Sequence, residues 1–114
     1  MRYNARKKVN IYTLSETFGD YGEQILSKEL IYSGTQLVVP MTSAIVKKEY
    51  GLTTNEPKKV IFNKPLPKDK TMFLFEIENR FYTLVERTDF DKFNILLIDI
   101  DLKGGEYPDG EYII

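Results

Sequence analysis

The chain has 114 residues, 42% hydrophobic and 29% charged, a balance that suits one folded domain rather than a disordered segment. Its 16 basic and 17 acidic residues leave a formal net charge of -1, which argues against a general electrostatic hold on nucleic acid. With neither cysteine nor histidine, it excludes disulfides and thiolate chemistry and lacks the commonest general base and metal ligand.

Residues 1–6 are basic but have no apolar run behind them, so they do not read as a signal peptide. No apolar stretch approaches membrane-spanning length, and a cytoplasmic site of synthesis is expected. Residues 8–14 alternate and are rich in β-formers, which predicts a first strand with Val9 and Ile11 on one face and Tyr12 and Leu14 on the other. Gly19, Asp20 and Gly22 mark a turn. Residues 24–32 fit a helical stripe in part, yet their glycine boundaries favour a strand. Gly34 punctuates it, and a further strand spans 36–39. Pro40 ends that strand by removing a ladder donor.

The pattern then changes. Thr42 or Ser43 suits a helix N-cap, Ala44, Ile45 and Lys48 follow at helical spacing, and Gly51 suits the C′ position. A helix of about two turns results, too short to stand without packing. Residues 52–58 read as a polar loop. Residues 40–58 thus form one long excursion in a tightly turned chain, and long connections tend to carry function or motion.

Four short apolar strands follow at 59–63, 72–77, 81–86 and 94–100. The links between them are too brief for crossover helices, so this half is predicted to be an antiparallel meander. Residues 65–69 form a stiff turn, 78–80 a hairpin loop and 89–92 another turn. The strand at 72–77 opens with Met72, Phe73, Leu74 and Phe75, apolar on both faces. One face belongs to a core, and the other is covered by the barrel or by a neighbouring subunit. The tail, 102–114, is rich in Gly, Asp and Glu. Its end, 111–114, is β-prone and is expected to add to a sheet edge of another chain in preference to its own.

In order, the chain presents a basic start, a Val9-Asn10-Ile11-Tyr12 strand and a Gly-Asp-Tyr-Gly-Glu turn at 19–23. A strand ending at Pro40 and a small helix ending in Glu49-Tyr50-Gly51 come next. Then follow Val60-Ile61-Phe62, a Pro-Lys-Asp turn, a hairpin across Glu78-Asn79-Arg80 and a final apolar strand. This arrangement resembles the head-closure proteins of tailed bacteriophages, also called head–tail connectors or stoppers, over about residues 9–101. The resemblance implies an all-β fold: a small antiparallel β-barrel with one short helix and one long loop. It also implies copies assembled as a ring below the portal, joining head to tail and helping to retain packaged DNA, without catalysis or cofactor. Its expected partners are further copies of itself, a portal or adaptor protein, tail proteins and DNA in the channel, with no membrane. The virion neck is the expected location. The counterpart of the family's channel-facing loop falls within 40–58. The chain departs at Asn79, where the family often has glycine, but Asn tolerates a left-handed backbone.

Expected contact residues follow from this reading. In the excursion they are Val46, Lys47, Glu49, Tyr50 and Leu52, on a segment expected to move because it has few buried anchors. At the ends they are Arg2, Arg6 and Lys7, and Tyr112, Ile113 and Ile114. The N-terminal basic cluster, which includes Lys8, suits phosphates or an acidic surface as well as it suits a solubilising terminus.

Other constellations are weaker. Asp99, Asp101 and Gly104 match the first half of a calcium loop, but Lys103 stands at a ligand position and Gly110 where glutamate is needed, so no metal site is expected. Glu76, Glu86, Asp89 and Asp91 read as solvated charge rather than a catalytic pair. Phe62, Phe73, Phe75, Phe81, Tyr82 and Phe93 read as barrel core before they read as a stacking platform for single-stranded nucleic acid. A stand-alone nucleic-acid-binding barrel is the alternative function.

Overall fold

The computed structural model describes residues 6–64, 66–68, 72–101 and 110–113. In chain order the elements are β1 (Arg6–Phe18), β2 (Gln24–Pro40), α1 (Ser43–Tyr50), β3 (Lys58–Phe62), β4 (Phe73–Ile77), β5 (Arg80–Asp89), β6 (Asn94–Ile100) and β7 (Gly110–Ile113). Every strand pairing is antiparallel. The order β1-β4-β5-β6-β3-β2, with β2 paired back onto β1, closes a six-stranded barrel. Closure removes open sheet edges from the barrel itself, where they would otherwise invite unwanted pairing.

The barrel interior follows from alternation. Val9 and Ile11 of β1, Val38 of β2, Val60 and Phe62 of β3, Phe73, Phe75 and Ile77 of β4, Tyr82 of β5, and Leu96 and Ile98 of β6 form one buried cluster, with Leu66 from the β3–β4 link. Alternate positions on a strand point the same way, so each strand contributes a single stripe. Each such side chain is worth about 1.5–3 kcal/mol when fully buried. Leu74, between two inward phenylalanines, is also completely buried, so its face is covered within the chain. Four of the six strand aromatics named above, Phe62, Phe73, Phe75 and Tyr82, are core, whereas Phe81 is half-buried and Phe93 exposed.

Three sequence expectations are corrected. Residues 24–40 are one strand of 17 residues, not two. Gly34 lies inside it opposite Val9, and its role is clearance. A Cβ there would collide with the Tyr32 hydroxyl and ring, two residues along on the same face. The second correction concerns the meander. It holds for β4-β5-β6, but β3 pairs with β2 and β6 and not with β4. Barrel closure accounts for this, because β4 must cross to meet β1, at Asn10 to Thr13. Third, the tail is not left for another chain: β7 pairs with β2 of its own chain, Ile25 to Lys28 opposite Ile113 to Gly110.

The turns follow local chemistry. Glu78 and Asn79 both have positive φ, 52° and 63°, which is the signature of a two-residue type I′ hairpin. Asn79 supplies the tolerance expected of it. Two bulges occur: β2 gains an unpaired Ile31 opposite the Ile11–Tyr12 step, and β5 gains Val85 between Leu84 and Glu86. Bulges bend strands and sharpen twist, as a small closed barrel requires.

Gln36 is a buried polar residue whose amide is fully used. Its Nε2 donates to Tyr32 Oη (2.5 Å) and Asn63 Oδ1 (3.0 Å), and its Oε1 accepts from the Asn63 backbone N–H (3.3 Å). It fastens the end of β3 to β2. Tyr32 is held by this bond and by an edge-on contact with Phe62 at 4.8 Å.

Two outcomes follow. Because the Tyr32 ring is held on two sides, Gly34→Ala should lower stability by about 1–3 kcal/mol in urea unfolding, the usual cost of overpacking. Tyr82 is 2% exposed, and burial raises its phenol pKa above the ordinary value of about 10. The unfolded chain then loses this proton first, so the contribution is intact below pH ~10 and fades as pH rises through the folded value. Wild-type unfolding midpoints should therefore fall relative to those of Tyr82→Phe above pH ~10.

Candidate assembly interface

The β1–β2 hairpin is much longer than the barrel needs. Only Asn10 to Thr13 of β1 pair with β4, extended by one bond from Leu14 N–H to the Met72 carbonyl (3.1 Å). Only Leu37 to Pro40 of β2 pair with β3. The rest of the hairpin continues as a two-stranded arm, with residues up to Phe18 paired to Gln24. The molecule is accordingly elongated, 54 × 28 × 27 Å. Strand β7 broadens the arm on its β2 side. Among the described residues, no strand pairs with the outer edge of 15–18.

The arm tip is built by a tight turn. Gly19 N–H donates to the Glu23 carbonyl (2.9 Å), Gly22 N–H donates to the Gly19 carbonyl (3.0 Å), and Gly22 takes φ 80°. The Glu23 carboxylate folds back to accept from Tyr21 N–H (3.1 Å). With its backbone fixed in this way, the turn presents Tyr21 at 97% and Phe18 at 73% exposure. Neither ring contributes to the buried core cluster.

The arm base is stitched to the barrel by polar side chains on the face opposite the core. Ser33 Oγ donates to Asn10 Oδ1 (2.6 Å), while Asn10 Nδ2 and Tyr12 Oη both donate to Glu76 Oε1 (2.9 and 3.0 Å). Lys28 lies over the Tyr12 ring at 4.6 Å. Glu76 is thus a structural acceptor. Asp89 also has a structural role, accepting from Arg87 Nε (2.9 Å) and Asn94 Nδ2 (2.7 Å), whereas Glu86 and Asp91 are exposed.

The 40–58 excursion differs from its expectation in mobility. Its helix is capped as the sequence implies, Thr42 Oγ1 accepting from Ile45 N–H (3.1 Å) and Gly51 closing the C-terminus at φ 72°. Its buried residue, however, is Val46, while Ala44, Ile45 and Lys48 are exposed. Val46 is 0% exposed, so it anchors the helix and offers no surface to a partner. Thr54 and Pro57 are buried as well. Ser43 Oγ donates to the Thr54 carbonyl (3.0 Å), and Met41 N–H donates to the Pro57 carbonyl (3.1 Å). The Asp99 carboxylate accepts from the backbone N–H groups of Asn55 (3.0 Å) and Glu56 (2.8 Å). Arg80 pairs with Glu56 at 2.7 Å, and this hydrogen bond raises the guanidinium pKa. The excursion is tied down at several points. Asp99, read from sequence as a solvated strand end, is the residue missed. No local motif marks it, because its partners lie 43 and 44 positions away.

The other expected contact residues are scattered. Lys47 and Glu49 are exposed on α1, and Tyr50 and Leu52 are half-buried. Arg6 is exposed, whereas Lys7 pairs with Glu78 at 3.0 Å. That hydrogen bond and the adjacent charge hold the Glu78 carboxyl below its ordinary range. Tyr112 and Ile113 belong to β7, and their backbones pair with Leu26 and Ile25. Arg2 and Ile114 lie outside the described residues. Among the described residues, no group of three or more acidic side chains is placed to hold a metal ion, and no helix is long and apolar enough to cross a membrane.

Comparison with protein families, characterised proteins and solved structures finds no match to this chain.

The tether yields a direct test. Asp99→Ala should lower stability by about 1–3 kcal/mol and speed amide hydrogen exchange at Asn55 and Glu56, with Asp99→Asn falling between. Unchanged exchange at those two amides would show that the carboxylate does not hold the excursion.

Proposed function

We propose that this protein is a structural component of the head–tail junction of a tailed bacteriophage. It assembles as a ring below the portal, joins head to tail and helps to retain packaged DNA. Its work is mechanical: subunits and neighbouring components are held by apolar and backbone contacts, and no bond is made or broken. Portal or adaptor and tail proteins are its partners at the virion neck. The basic N-terminal segment beginning before Arg6 and Lys7 is its candidate contact with DNA.

One observation carries this reading. A small closed barrel projects an ordered β-arm whose tip displays Phe18 and Tyr21 far from any core. Among the described residues, none from 15 to 30 belongs to the core cluster, and such an arm suits reaching across to another subunit. The resemblance in element order over 9–101 adds to it. The tethered excursion is a fixed wall of the ring in this reading, and the arm replaces it as the principal connecting element.

Negative-stain microscopy with light-scattering mass, alone and with a portal, tests the proposal. Rings of uniform size are expected, and Phe18→Ser with Tyr21→Ser should abolish them while leaving the fold intact. A chain that stays monomeric with a portal present, and binds single-stranded oligonucleotides in a salt-dependent way, would favour the nucleic-acid-binding barrel instead.

A further inference from the structure

A second feature of the surface matches the arm tip. Between β2, the end of β3 and the link to β4 lies a cleft of about 250 Å³ lined by Ile31, Tyr32, Phe62, Lys64, Leu66 and Pro67. Its walls are mostly apolar and aromatic. It is also preformed. Asn94 Oδ1, in a residue only 1% exposed, accepts from Leu66 N–H (2.6 Å). Arg87 donates to the Leu66 and Pro67 carbonyls (3.2 Å each). Tyr32 is fixed by Gln36 and Phe62, as described above. Preformed sites bind with a smaller ordering cost.

Charge selects the occupant. Lys64 stands over the Tyr32 ring at 5.8 Å and is the basic residue of the lining; the Arg87 charge behind the wall is already paired with Asp89. The arm tip carries two exposed aromatic rings and the exposed carboxylate of Asp20. Among the described residues neither Asp20 nor Lys64 has an ion-pair partner. An aromatic, acidic tip complements an apolar cleft with a basic rim. The tip cannot reach the cleft of its own chain. Both lie on the same hairpin, and Gln24 to Ile31 spans roughly 24 Å of strand.

We infer that the arm tip, with Tyr21 and Phe18 leading, docks in the Tyr32–Phe62–Pro67 cleft of a second copy, with Asp20 facing Lys64. Tip and cleft are different surfaces, so the contact is head-to-tail and propagates from copy to copy until it closes. The inference rests on the ring reading and supplies the contact that builds the ring.

The chain contains no cysteine, so introduced thiols report this contact alone. Thiols are placed beside the contact, with Tyr21, Phe18 and the cleft lining left intact. Thr17→Cys protein mixed with Lys68→Cys protein, both exposed positions, treated with a short bismaleimide, should give a covalent heterodimer. Thr17→Cys mixed with Lys48→Cys, exposed on α1 at the Lys58 end of β3 and away from the cleft, should give only background. A single chain carrying both Thr17→Cys and Lys68→Cys should give a ladder of oligomers. Asp20→Lys on the arm partner should cut the product about fivefold, the factor set by ~1 kcal/mol, and Lys64→Asp on the cleft partner should restore it. Equal product with Lys68→Cys and Lys48→Cys would overturn the docking, and a ladder ending at the dimer would overturn its head-to-tail geometry. Rings seen by microscopy without Thr17–Lys68 product would sink the docking and leave the ring reading standing. A ladder that never closes, with or without a portal, would sink the ring reading and leave the docking standing.

Discussion

One ladder, β1 against β2, governs this molecule. Its barrel-side half closes the sheet, bringing the Val9–Ile11 stripe into a core shared by all six strands. Its distal half leaves the barrel and becomes the arm. Register in a half-buried strand is fixed by its apolar face, since a slip of one residue would turn that face to solvent. Burial of Val9 and Ile11 fixes the barrel-side register, and the bulge at Ile31 then shifts the ladder by one residue into the arm. The arm is thus an extension of a strand pair whose base is anchored in the core.

Rigidity recurs wherever the surface has a candidate role. The tip turn is closed by two backbone bonds, the cleft wall by Asn94 and Arg87, and the excursion by Asp99. Each fastening is a polar group meeting backbone N–H or C=O in a segment that leaves the regular ladder. Segments of that kind must satisfy their backbone groups by such means. The apolar core stabilises the barrel, and these polar clamps shape what the barrel presents.

Much of the architecture was legible in the sequence. Alternation located β1 and the apolar strands, Thr42 and Gly51 bounded the helix, and Glu78-Asn79 marked the hairpin. Gly34 misled because a glycine within a strand looks like punctuation. Its reason, clearance for Tyr32, exists only once the strand is paired and the ring is pinned. Val46 was placed on the outside because a short helix with scattered apolar residues does not declare which side it buries. The Asp99 clamp, the cleft and the neighbouring position of β3 and β6 join residues far apart in the chain. The arm itself was half visible. The 19–23 turn was read correctly, but the strands on either side of it run several residues further than their alternation suggested.

In the proposed assembly the arm is a preformed element, displayed in the free chain and covered in the ring. Amide hydrogen exchange in the free and assembled protein measures this directly. The outer edge of 15–18 and the 19–23 turn should exchange readily in the free chain and become protected on assembly, with Asn55 and Glu56 unchanged. Protection confined to other surfaces, such as the exposed Phe90–Phe93 stack, with the arm unaltered, would contradict it.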